Sequence, residues 1–169
     1  MVESKPSGIM ISVTRPELLQ NAINTAVAQG IPVITVDSDA PNSKRVMFVG
    51  TDNFRAGTES GKRMADILKG QGQIVIITIP GQLNLDERAG GMNEALKNIR
   101  ESGLPQTLDD KGDPRVANDG ISALLKAKTK IDGIVCLEAS GGSGQPRHCI
   151  VWTQKFLIVG FDKDPETCD

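Results

Sequence analysis

The sequence contains no tyrosine, one tryptophan and four phenylalanines, so a site assembled from stacked aromatic rings has little to draw on. Its only histidine is His148, which excludes any two-histidine metal motif and leaves a catalytic triad a single candidate base. The neighbouring Cys149 does not help, because adjacent residues seldom point the same way and no orienting carboxylate is at hand. The three cysteines, Cys136, Cys149 and Cys168, show neither metal-like spacing nor a C-x-x-C pair. An odd count with such gaps argues against a disulfide framework, and they read as buried or incidental thiols. No charge sign dominates: 19 basic residues stand against 21 acidic ones. That balance argues against nucleic acid as a partner. No apolar run approaches the roughly 18 residues of a membrane span, so no direct membrane insertion is expected. The opening MVESKPSG lacks the basic-then-apolar pattern of a signal peptide. Nothing calls for a metal, a cofactor or a catalytic residue.

What is present is an alternation of short apolar runs and helical stripes. At 169 residues, the chain is long enough for one domain or two small lobes. The runs at 8–13, 31–36, 46–49, 73–79, 133–137 and 156–160 predict strands. Between them, Leu19, Ile23, Ala26 and Val27 recur at helical spacing after Thr14-Arg15-Pro16-Glu17, which reads as a capping box. A second helix is expected over 54–69, with Gly57 and Gly61 explained by close packing against a sheet. A third is expected over 86–100, and a fourth is capped by Asp113. Strands alternating with helices mean a parallel sheet flanked by helices. The fold class is therefore α/β, a doubly wound parallel sheet. In such sheets ligands bind beyond the carboxyl ends of the strands. Those ends carry Asp37-Ser38-Asp39, Thr51-Asp52-Asn53, Pro80-Gly81-Gln82, Glu138-Ala139-Ser140 and Phe161-Asp162, with Arg88 close behind the fourth strand. Carboxylates, amides and one guanidinium make a hydrogen-bonding crevice for a polar ligand.

The chain also reads as incomplete. Asp164-Pro165-Glu166 is a helix-start signal with no helix behind it, and the first strand begins a sheet with too few partners. The expectation for 1–51 is exposed apolar surface, an unpaired edge and low solubility or self-association. Residues 145–155 (QPRHCIVWTQK) sit where a crossover helix belongs but show no helical stripe, as a reading-frame slip would leave.

The segments KPSGIMISV, AVAQGIPVITVDSDAPNSKRVMFVGTDN, GQGQIVIITIPGQLNLDERAGGM, IDGIVCLEASGGSG and LIVGFDKDPET resemble the type 1 periplasmic sugar-binding proteins. These are the ribose- and galactose-binding relatives that serve ABC importers, and they share their lobes with LacI-type effector domains. The resemblance covers nearly the whole chain except 145–155. It implies two doubly wound lobes of flavodoxin-like strand order, with sugar between them. Residues 1–51 are expected to be a partial N-terminal lobe, and 52–169 most of the C-terminal lobe. The first two strand-helix units and the final hinge segment are missing. By the same resemblance Asp37, Arg88, Glu138 and Asp162 are the ligand-binding residues. The family often has Arg after the first aspartate, where this chain has Ser38, and Glu138 stands where Asn or Asp is common. Carboxylates accept from vicinal hydroxyls, and a guanidinium donates through a fixed fork, so these residue types suit a polyol. Thr51-Asp52-Asn53 is expected to cap the following helix. The implied partners are a monosaccharide or polyol and an ABC-transporter permease, and the implied location is periplasmic.

Three other readings compete. Asp37-x-Asp39 after an apolar strand resembles a D-x-D phosphatase-like enzyme, or a metal-dependent glycosyltransferase, but Ala40-Pro41 depart from the former pattern. Gly57 to Arg63 looks like a phosphate loop but is one residue short, lies inside a helix and puts Arg63 where the Mg²⁺ ligand belongs. A LacI-type regulator would use the same lobes, with a DNA-binding segment upstream.

Overall fold

The computed structural model describes residues 4–97, 105–138 and 157–161. The 145–155 segment, His148, Cys149, Cys168, Asp162 and the helix-start signal at 164–166 lie outside the described residues. The elements are β1 (Ile9–Ile11), α1 (Pro16–Ala28), β2 (Val33–Val36), β3 (Met47–Val49), α2 (Asn53–Ile67), β4 (Ile74–Thr78), α3 (Leu83–Leu96), β5 (Gln106–Asp109), α4 (Pro114–Lys126), β6 (Gly133–Cys136) and β7 (Leu157–Gly160). Every strand pair among the described residues is parallel. The chain divides into two compact units, 1–52 with 81–86 and 53–80 with 87–169.

In the first unit the sheet order is β1-β2-β3. Val13, Ile23, Ala26, Ile31, Val33 and Ala40 form the core between α1 and this sheet. The start of α1 differs from the expected capping box. Arg15 is the N-cap and makes no side-chain cap bond, while Pro16 opens the first turn. Proline's fixed φ and missing N–H suit that position without a capping side chain. The strand register puts Met10, Ile34 and Met47 in one row, and Val36 and Val49 in the next. By strand alternation these rows lie on the face away from Val33 and α1. Met10, Met47 and Val49 are each at least half exposed.

In the second unit the order is β5-β4-β6-β7, the doubly wound arrangement with β4 started in the middle and crossovers to either side. β4 is buried along its whole length, as a strand covered on both faces should be. Val75, Ile77, Ile134 and Cys136 pack with Ala117 and Ile121 of α4. On the opposite face Met64 of α2 comes against Gly133.

Three further features depart from expectation. β5 is an additional strand, which the apolar runs do not predict because Gln106-Thr107-Leu108-Asp109 contains one apolar residue. It is an edge strand that needs only Leu108 turned inward. α3 begins at Leu83 rather than at 86. The Asp86 carboxylate accepts from the Gly81 amide at 3.1 and 3.2 Å, an acidic first turn that ties down the chain entering the helix. Finally, Gly57 and Gly61 do not pack against a sheet. A Cβ on Gly57 would overlap the Arg88 carbonyl, and one on Gly61 would lie 2.8 Å from the Ala95 Cβ, so both glycines serve a close crossing of α2 with α3. Gly91 meets the Phe54 carbonyl in the same way from the other helix.

Candidate functional site

β2 ends in three residues with three different tasks. Asp37 has φ +62 and is exposed, and its amide donates to the Val49 carbonyl at 3.0 Å. Ser38 is fully buried, and its hydroxyl donates to the Val13 carbonyl at 2.8 Å. The hydroxyl therefore ties the end of β2 to the segment after β1. Asp39 accepts from the Thr35 hydroxyl at 2.6 Å, from the Ala40 amide at 2.7 Å and from Arg45 Nη2 at 2.6 Å. Burial opposes ionisation there, but these bonds and the Arg45 charge outweigh it and hold the Asp39 carboxyl below the usual range. The second carboxylate of the D-x-D pair is thus committed to holding its own loop. Among the described residues no group of three or more His, Cys, Asp or Glu side chains could hold a metal ion.

In the second unit Arg88 is fixed from three sides. Nε donates to Asn53 Oδ1 at 2.8 Å, and Nη1 donates to the Leu137 carbonyl at 2.7 Å. The guanidinium carbon also lies 4.7 Å from the centre of the Phe161 ring, a cation–π contact. Asn53 is buried at the first position of α2. Its side-chain oxygen accepts from Arg88. The carbonyl that Arg88 grips belongs to the residue before Glu138, so the structure brings Arg88 and the Glu138 segment together at the carboxyl end of β6. Asp37 belongs to the other unit, and Asp162 lies outside the described residues.

The set of candidates read from the sequence omits Asp110, the residue after β5. Asp110 is fully buried, and its Oδ1 accepts from the Gly112 amide at 3.1 Å. Burial, then the hydrogen bond and charge of Glu138, push its carboxyl up to about 7. Burial pushes the Cys136 thiol up to about 12, with the charges of Glu138 and Asp110 adding to it. The rule that ligands gather at strand ends would have found Asp110 had β5 been legible. The phosphate-loop look-alike, Gly57 to Arg63, lies wholly inside α2. An apolar cleft in the first unit, lined by Ile9, Ile11, Leu19, Ala22, Ile23, Ala26 and Val33, has no polar side chain to offer a polyol.

Parallel βα units with a fixed guanidinium and carboxylates at the strand ends define an α/β protein of the doubly wound class. The chain belongs to the periplasmic binding protein domain family, matched over residues 1–169. It is 27% identical over 158 residues to the ribose import binding protein RbsB of Haemophilus influenzae, covering 91% of this chain and 53% of that protein. A sugar-binding protein of a sugar ABC transporter from Bacillus halodurans is similar in structure, with 34% identity and a TM-score of 0.84, covering 98% of this chain and 58% of that one. A solute-binding protein from Burkholderia graminis, solved in complex with D-arabinose, has 30% identity and a TM-score of 0.90, covering 98% and 60%. The chain spans about half the length of the curated relatives it matches.

Proposed function

We propose that this chain is part of a sugar-binding protein that presents a monosaccharide or similar polyol to an ABC-transporter permease in the periplasm. In this reading residues 1–51 are a partial N-terminal lobe and 52–169 most of a C-terminal lobe. Asp37, Arg88, Glu138 and Asp162 contact the sugar, and no bond in the sugar is made or broken. The observation that carries the reading is Arg88, held by Asn53, the Leu137 carbonyl and the Phe161 ring in a chain of this family. A guanidinium fixed in this way meets sugar hydroxyls without first losing side-chain freedom, which favours binding.

Calorimetric titration of the 169-residue chain with pentoses, hexoses and polyols tests this, with a Mg²⁺-dependent phosphate-ester assay as control. The expected result is saturable binding of one sugar, lost in Arg88→Ala and Asp162→Ala. Turnover of the phosphate ester would overturn it, and silence from a folded sample across the panel would make these 169 residues a non-functional remnant of a sugar-binding protein.

A further inference from the structure

The two carboxylates of the second unit that sequence spacing does not connect are Asp110, after β5, and Glu138, after β6. β4 lies between these strands, with Leu108 and Cys136 both in register with Ile77. Asp110 and Glu138 each stand two residues further on, so they share one face at the carboxyl end of the sheet. Asp110 is fully buried. Its Oδ1 is satisfied by the Gly112 amide, whereas no hydrogen-bond donor among the described residues reaches Oδ2. A buried acceptor without a donor is costly, and a second carboxylate cannot supply one unless a proton lies between them.

We infer that Asp110 and Glu138 share one proton, and that Asp110 is thereby a positioning residue that holds the Glu138 carboxyl at the end of β6. Burial, then the neighbouring Glu138, push the Asp110 carboxyl up to about 7. Around it stand Cys136 on β6, Asp109 and Lys111 beside Asp110, and Asp113 and Arg115 at the start of α4, which pair with each other at 2.8 Å. Arg88 holds the carbonyl of the residue before Glu138. The consequence for ligand affinity rests on the reading of Glu138 as a sugar contact. The shared proton itself does not.

The test compares the full chain with Asp110→Asn and Glu138→Gln from about pH 5 to about pH 9. The folded Asp110 carboxyl binds its proton more tightly than the same group in the unfolded chain does. Its stabilisation is therefore complete below the unfolded carboxylate value, near pH 4, and is lost as the pH rises through about 7. The wild type is expected to lose thermal stability over that window and to show the infrared band of a protonated carboxylic acid. Either amide variant should flatten the slope and remove the band. Sugar affinity in the wild type should weaken roughly tenfold across the range, the size of a one-unit change in a pKa, and stay level in Asp110→Asn. A wild type without the band, or a slope unchanged in both variants, would overturn the inference. If the band and slope are present but no sugar binds, the shared proton stands and the sugar-site reading falls.

Discussion

Gly57 of α2 lies so close to the main-chain carbonyl of Arg88 on α3 that a Cβ on Gly57 would overlap it. The obstacle is backbone, so no rotamer change relieves it, and α3 must shift and carry Arg88 with it. Overpacking of this kind costs up to about 3 kcal/mol, against about 1 kcal/mol gained by removing glycine from a helix. Gly57→Ala is therefore expected to destabilise by about 2 kcal/mol in chemical denaturation. Gly90 provides the control, because a Cβ there would rest 3.8 Å from the Phe54 ring, an ordinary contact. Gly90→Ala should be neutral or stabilising. Equal losses for the two substitutions would contradict the close crossing.

The glycine spacing is visible in the sequence, but the partner is not. Glycines four residues apart on a helix mark a close approach without saying whether strand or helix approaches. Strands such as Ile74–Thr78 are legible because a strand buried on both faces must be apolar throughout. Gln106–Asp109 is illegible for the opposite reason, since an edge strand needs one inward residue and keeps the rest polar. Without that strand, Asp110 stays hidden from a search confined to strand ends. Arg88 is legible as a candidate from its motif, whereas its hold on Asn53 depends on a contact 35 residues away that no local pattern encodes.

Cys136 is buried in the α4-facing core, and its thiol is pushed up to about 12. Only the thiolate reacts readily with alkylating reagents. Mass spectrometry of the chain labelled at neutral pH should find the Cys136 peptide unmodified in native buffer and fully modified in denaturant. Native labelling at the rate of a free thiol would show that the end of β6 opens to solvent.

Asp39 and Arg45 hold the loop after β2 through a bond of 2.6 Å. Because the folded Asp39 carboxyl lies below its unfolded value, its contribution is complete above about pH 4 and is lost as the pH falls through the folded value. A hydrogen bond to a charged partner is worth about 1.5 to 3 kcal/mol. Arg45→Gln is therefore expected to cost about 2 kcal/mol in urea unfolding at neutral pH and less near pH 3, below the unfolded carboxylate value. An identical loss at both pH values would assign the effect to packing of the arginine stem instead.

The face of the first sheet opposite α1 carries Met10, Met47 and Val49 in the open, and apolar rows of this kind associate in water. Replacing all three with threonine puts a β-branched, strand-compatible side chain with a hydroxyl at each position. The 169-residue chain is expected to bind a hydrophobic dye and to elute as associated species, and the triple variant should do less of both with an unchanged far-ultraviolet spectrum. The variant loses no core contact, because Val33, Ile23 and Ala26 pack on the other face. A sharp monomer peak without dye binding in the unmodified chain would show that these side chains are covered in solution.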